Sequence, residues 1–168
     1  MNRSRFIGIG ILFVFVLGGG AFYFLRALPN TPEEALYRFH VPSEVIGEDQ
    51  IMDPLILAGK KVVPLLLKEI QDKNMPRRRY GIAALGHLGD SSALPVLERI
   101  LKDPSEIDYF RCDALQAMAL LDPNAARILA KEQTASSVDC ISQLSGAFAS
   151  GKLPARRTYL QALVGWHQ

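Results

Sequence analysis

The chain has 168 residues, which is enough for one domain with a single modest core. Its 19 Lys and Arg residues exceed its 17 Asp and Glu residues, but Arg3, Arg5 and Arg26 flank an apolar segment and account for that excess. The remainder is close to neutral and lacks the basic surface that neutralises phosphates. The charge therefore argues against nucleic-acid binding.

The first element is an apolar segment, Phe6 to Leu25, that contains no charged residue. A helix of this length spans about 30 Å, the thickness of the hydrocarbon core of a bilayer. So small a chain cannot bury such a helix on every side. We therefore predict one transmembrane helix within residues 1–27 that contacts the lipid bilayer and carries an aqueous domain.

Cleavage and orientation of this segment depend on few residues. Residues 18–21 are small enough for a signal-peptide cleavage site, whereas residues 22–25 continue the apolar run and favour an uncleaved signal anchor. Arg3 and Arg5 precede the segment and Arg26 follows it. The positive-inside rule then predicts a cytoplasmic N-terminus and an extracytoplasmic C-terminal domain, which is periplasmic in a bacterium.

Residues 28–54 are predicted to form a linker and an N-terminal capping helix. Thr31 is a suitable N-cap, Pro32 suits the first helical position, and acidic residues follow in the first turn. We expect a helix from Pro32 to Phe39. The stretch from residue 41 to 52 has no clean period and indicates a loop or a short helical turn.

From Asp53 onward, helical patterns alternate with turn residues and no strand periodicity occurs, which predicts the all-α class. One pattern repeats, because residues 78–90 align with residues 111–123, 33 positions later. Residues 62–66 likewise resemble residues 93–97, each with proline in the first turn. A fixed period of this size is typical of stacked helical units.

The repeated pattern resembles the short bacterial type of HEAT repeat, which is also found in phycobilisome lyases. Its first helix reads roughly Arg-x-x-Ala-Ala-x-Ala-Leu-Gly-x-Leu-Gly-Asp, and residues 78–90 depart from it mainly at Gly81 and Ile82. The resemblance covers residues 55–132 and implies a short α-solenoid of stacked helix pairs. Small residues in such repeats let neighbouring helices approach closely.

Residues 133–168 are predicted to be a degenerate repeat or capping helices, since the repeat pattern fades beyond Glu132. Helices are expected over residues 135–150 and from Pro154 to Trp166. Both would shield the end of the solenoid core from water.

The sequence offers little evidence for catalysis. His40, His87 and His167 are scattered without a second ligand one turn away, so we expect exposed histidines and no metal site. No cofactor and no catalytic residue is predicted. Cys112 and Cys140 either pair as a disulfide in an oxidising compartment or remain two buried thiols on packed helices.

Residues 73–79 form the densest basic run. Arg78 occupies the arginine position of the repeat and is expected to pair with an acidic group of a neighbouring unit. Arg77 and Arg79 then remain free for partners, although we favour the simpler interpretation that the run is a solvated loop and helix start.

These observations favour a non-enzymatic, membrane-anchored protein-binding scaffold, an accessory or assembly subunit whose partners are other protein subunits of a membrane complex. An alternative is a lyase-type HEAT-repeat enzyme or enzyme subunit that acts on a bound chromophore or thiol adduct, which would need a pocket. The predicted partner-binding residues lie near helix starts and are Arg77, Arg79, Tyr80, Asp108, Tyr109 and Asp113.

Overall fold

The computed structural model describes residues 28–41, 47–133, 136–158 and 161–162. These residues form helices and contain no strand, which confirms the all-α class. The predicted anchor, residues 6–25, lies outside the described residues. Among the helices that are described, none is long and apolar enough to cross a bilayer.

The α-helices follow one another with short connections. In chain order they are α1 (Pro32–His40), α2 (Asp53–Ala58), α3 (Val63–Glu69), α4 (Arg78–Leu88), α5 (Leu94–Lys102), α6 (Asp108–Leu121), α7 (Pro123–Glu132) and α8 (Asp139–Ala149). Single 3₁₀ turns lie at Glu48–Gln50, Gly59–Val62 and Ser91–Ala93.

Helix α1 begins where its sequence predicts. The Thr31 hydroxyl accepts a hydrogen bond from the backbone N–H of Glu34 at 3.1 Å, and Pro32 occupies the first helical position. The helix ends at His40, one residue beyond the prediction. The 3₁₀ turn at Glu48–Gln50 supplies the short helical turn that was one of the two expectations for the following stretch.

Helix α6 lies at the centre of the fold and packs against α4, α5, α7 and α8. Its closest neighbour is α4, because a Cβ atom added to Gly86 would lie 2.6 Å from the Ala117 Cα atom. That distance is shorter than van der Waals contact with backbone, so only glycine fits at this position. The predicted close packing of small residues is therefore present between these two helices.

Two arginines, 33 residues apart, make the same contact with the preceding helix. The Arg78 Nε donates to the Ile70 carbonyl oxygen at 2.7 Å, and the Arg111 Nε donates to the Leu101 carbonyl oxygen at 3.0 Å. Arg78 also forms a buried bidentate pair with Glu106, at 2.7 and 2.8 Å, which confirms its expected acidic partner. This guanidinium holds the pKa of the Glu106 carboxyl below its usual value.

The two cysteines form a disulfide that links α6 to α8. Cys112 and Cys140 have their Cα atoms 6.1 Å apart, and Cys112 is buried. The sequence left a disulfide and two buried thiols as alternatives, and the structure contains the disulfide.

The helix predicted from Pro154 is wrong over its first turn, because residues 152–158 are not helical. We call these residues the C-terminal strap. Within it, Arg157 forms an ion pair with Asp53 at the start of α2, at 2.8 Å. A non-helical chain covers more distance per residue than a helix, which lets the strap extend as far as the start of α2. The helix predicted over residues 135–150 is present as α8, but it begins only at Asp139, since residues 136–138 are not helical.

We expect Gly86→Ala to lower the free energy of unfolding by about 1–3 kcal/mol, because the new methyl group overlaps the backbone of α6. Gly146→Ala is the matched control, since a Cβ atom there meets nothing within 4 Å. Alanine's higher helix propensity should raise stability at that site by up to about 1 kcal/mol. Urea unfolding followed by far-UV circular dichroism measures the free energy of unfolding of both variants. Equal changes in Gly86→Ala and Gly146→Ala would contradict the close contact between α4 and α6.

Candidate functional site

Four of the six predicted partner-binding residues lie together where α4 and α6 begin. The Arg79 Nε donates to the Asp113 Oδ2 at 2.8 Å, and the Arg79 guanidinium carbon lies 5.9 Å from the centre of the Tyr109 ring. The Tyr80 hydroxyl donates to the Glu48 Oε1. Arg79, Tyr80, Tyr109 and Asp113 therefore form one cluster, in which Arg79 and Tyr109 are exposed and Asp113 is buried.

The other two predicted residues lie apart from this cluster. Arg77 donates from Nη1 to the Phe39 carbonyl oxygen at 2.7 Å, which joins it to α1. Asp108 accepts from Arg111 Nη1, on its own helix, at 3.4 Å. Neither Arg77 nor Arg79 is unpaired within the fold, because each guanidinium has an intramolecular acceptor, but about half of the Arg79 side chain stays exposed.

A cavity of about 650 Å³ adjoins the cluster, and we call it the α4–α6 cavity. Its lining combines carboxylates, one guanidinium, one imidazole, one amide and apolar side chains. The lining residues are Gly47, Glu48, Met52, Arg79, Tyr80, Ala83, His87, Asp113 and Gln116. The cavity is open to solvent and is bounded mainly by the facing sides of two helices and by the 3₁₀ turn before α2.

The helical spacing explains why these side chains face one another. Tyr80, Ala83 and His87 follow the spacing i, i+3, i+7 on α4, so they share one face. Asp113 and Gln116 are one turn apart on α6 and stand 33 residues after Tyr80 and Ala83. The repeat register therefore brings equivalent positions of two helices to the same cavity.

Burial and pairing set the charge state of the polar groups. Desolvation raises the pKa of the Asp113 carboxyl, and the hydrogen bond and charge of Arg79 oppose that rise. The same hydrogen bond raises the pKa of Arg79. Desolvation, together with the hydrogen bond to Glu48, also raises the pKa of Tyr80.

His87 is neutral at neutral pH. Burial lowers the pKa of its imidazole to about 4, and the charges of Arg157 and Arg156 act in the same direction. Its Nδ1 accepts the backbone N–H of Arg157 at 2.7 Å, so Nε2 carries the hydrogen. The expectation of exposed histidines is wrong here, and also for His40, which is partly buried and pairs with Glu69 at 2.7 Å.

Several cavity residues were not among the predicted partner-binding residues. Glu48 lies in a stretch without periodicity, and its contact with Tyr80 is long-range, so no local pattern marked it. His87 and Gln116 were detectable, because they stand at helical spacing from Tyr80 and Asp113. Among the residues that the structure describes, no group of three or more His, Cys, Asp or Glu side chains is placed to hold a metal ion. The predicted position His167 lies outside those residues.

Comparison of the chain with protein-family models, with curated proteins and with solved structures finds no match. The function must therefore be argued from the site itself.

The lowered pKa of His87 makes stability depend on pH. The unfolded chain takes up a proton near pH 6.5, whereas the folded chain resists it down to about pH 4. The unfolded state therefore binds more protons within this window, and stability falls as the pH falls from about 6.5 to about 4.

His87→Gln should flatten this part of the profile, because glutamine keeps an acceptor for Arg157 but takes up no proton. Urea unfolding at several pH values gives the two profiles. Acidic residues titrate alike in both proteins, so the difference between the profiles isolates His87. Parallel profiles would show that His87 is not buried as neutral imidazole.

Proposed function

We propose that the chain is a non-enzymatic, membrane-anchored protein-binding scaffold that acts as an accessory or assembly subunit of a membrane protein complex. The cluster at the starts of α4 and α6 is the proposed docking surface. Fold alone does not determine such a role, so the proposal depends on this surface.

One observation carries the proposal: two large apolar side chains at the start of α6 are exposed next to a guanidinium. Tyr109 is 66% exposed and Ile107 is 56% exposed, and Arg79 lies over the ring of Tyr109. Tyrosine and arginine are among the side chains that are enriched where protein interfaces gain their binding energy. Arg79 is also held by Asp113, which reduces the ordering cost of binding.

We also propose that residues 55–132 are HEAT-like repeats. The equivalent backbone contacts of Arg78 and Arg111 support this architecture, since they recur 33 residues apart. So does the close approach of α4 to α6 at Gly86. Stacked units of this kind present one helix of each pair along a continuous binding surface.

The anchor within residues 1–27 remains part of the proposal, with the helical domain on the extracytoplasmic side. The disulfide between Cys112 and Cys140 supports that side, because disulfides persist in oxidising compartments and are rare in the cytosol. This argument is independent of the arginines that flank the anchor. A tether also raises the local concentration of partners in the same membrane, so modest affinity suffices.

The docking surface is tested by substituting Tyr109 and, as a matched control, Tyr37 of α1, which is equally exposed at 66%. The full-length chain is purified from membranes in mild detergent and the co-purifying proteins are quantified by mass spectrometry. Tyr109→Ala should reduce recovery of a stoichiometric partner at least about tenfold, as expected for an interface hot spot. Tyr37→Ala should leave recovery unchanged.

Two results would overturn the proposal. One is equal recovery with Tyr109→Ala and Tyr37→Ala, since the cluster would then not be the docking surface. The other is an isolated chain that carries a bound small molecule, which would favour an enzyme that acts on such a compound.

The compartment is tested by thiol labelling, which is simple because the chain has only 2 cysteines. Cells are quenched in acid, the protein is denatured, and a maleimide polymer is added with or without prior reduction. Labelling should require the reductant. In the control Cys112→Ala, the remaining Cys140 should be labelled without the reductant. Labelling of the unsubstituted chain without the reductant would contradict the extracytoplasmic placement.

A further inference from the structure

The outer face of α1 carries two exposed apolar side chains. The helix packs against α2, α3 and the 3₁₀ turn Gly59–Val62, and it buries Phe39 completely. On the side that faces away from these elements, Tyr37 is 66% exposed and Val41, one turn later at the end of the helix, is 54% exposed. Terminal units of a helical stack usually present a polar outer face to water. The face that contains Tyr37 and Val41 departs from that rule.

The start of α1 is fixed close to the proposed anchor. The Asn30 backbone N–H donates to the Glu34 Oε2 at 2.7 Å, so Asn30 already belongs to the first turn of α1. Only residues 26–29 therefore separate Asn30 from Leu25, the last residue of the apolar segment. Whatever their conformation, the five steps from Leu25 to Asn30 span at most about 18 Å.

This reach is short on the scale of a membrane surface. The headgroup layer outside the hydrocarbon core is about 5–7 Å thick on each side of a bilayer. A helix with its side chains has a radius of about 5–6 Å, so a helix that lies on the headgroups has its axis about 10–13 Å from the hydrocarbon core. With the anchor in the bilayer, the start of α1 therefore stays within a few ångström of that position.

The composition of α1 suits the region where a bilayer meets water. Tyrosine is enriched there, because its ring prefers the apolar side while its hydroxyl reaches headgroups or water. The charged residues of the helix are few, and Arg38 pairs with Glu34 on the same helix. Helix α1 thus has no basic face that would require anionic lipids, and a zwitterionic surface is sufficient.

We propose that α1 lies on the surface of the bilayer that holds the anchor, with the side chains of Tyr37 and Val41 among the lipid headgroups. Helices of this kind bury their apolar side about 5–10 Å into the boundary between headgroups and acyl chains. The inference rests on the anchor of the proposed function and deepens it, since it specifies which end of the helical domain faces the membrane.

The test uses tryptophan fluorescence of the full-length chain in phosphatidylcholine vesicles, with and without lipids brominated near the headgroup end of the acyl chains. Trp166 is the only tryptophan of the sequence, so Trp166→Phe gives a background without signal. In this background, Tyr37→Trp should lose fluorescence in the brominated vesicles and emit at a shorter wavelength than Tyr109→Trp. Tyr109→Trp is the matched control, because both tyrosines are 66% exposed and the new side chain is the same.

A second substitution examines the rest of the face. Val41→Asp, added to Tyr37→Trp, should reduce the loss of fluorescence in brominated vesicles, since a charge is costly where the side chain leaves water. Val41 is exposed, so this change does not endanger folding. Equal quenching of Tyr37→Trp with and without Val41→Asp would contradict the placement of Val41.

Acrylamide, a quencher dissolved in the water phase, gives the reciprocal measurement and should quench Tyr109→Trp more strongly than Tyr37→Trp. Equal quenching of the two variants, by acrylamide or by brominated lipid, would overturn the proposal. Protection of Tyr37→Trp from acrylamide without quenching by brominated lipid would also overturn it, because protein, such as a second copy of the chain, would then cover the face.

The outcome is separable from that of the proposed function. Extraction of the same membranes with alkaline carbonate shows whether the chain is integrated. If the chain is extracted, the anchor fails, and the proposed function and this inference fail together. If the chain resists extraction but Tyr37→Trp behaves like Tyr109→Trp, only the contact of α1 with the bilayer fails.

Discussion

The contact between the backbones of α4 and α6 at Gly86 and Ala117 determines the arrangement of the other helices. Because no side chain separates the two helices there, their neighbouring turns also approach closely. Arg79, two turns before Gly86, consequently reaches Asp113, one turn before Ala117, at 2.8 Å. The contact between Arg79 and Asp113 is thus a consequence of the close packing of α4 and α6.

Long-range contacts hold both ends of α4. The buried pair of Arg78 and Glu106 fixes the start of α4 to the loop before α6, and breaking such a pair leaves an uncompensated charge in the interior. The C-terminal strap holds the other end, where Arg157 contacts both His87 and Asp53. The disulfide between Cys112 and Cys140 adds a covalent link between α6 and α8.

Structural features that depend on local residue spacing could be predicted from the sequence, whereas features that depend on contacts between distant residues could not. The helix class, the cap at Thr31 and the packing of small residues all follow from neighbouring residues, and the structure has them. The helix predicted from Pro154 was wrong because the conformation of the strap depends on contacts with Asp53 and His87. These residues lie about a hundred and about seventy positions away in the sequence. The same reason explains why Glu48, in a stretch without a period, was not recognised as a wall of the cavity.

The burial of Asp113 explains why its pairing with Arg79 matters. Desolvation raises the pKa of the Asp113 carboxyl, and the hydrogen bond and charge of Arg79 oppose that rise. Arg79 is thus held by the carboxylate that it stabilises, while about half of its side chain stays exposed beside the Tyr109 ring. The exposed apolar area at the start of α6 is small, so the proposed tether in the membrane would provide the local concentration that such a contact requires.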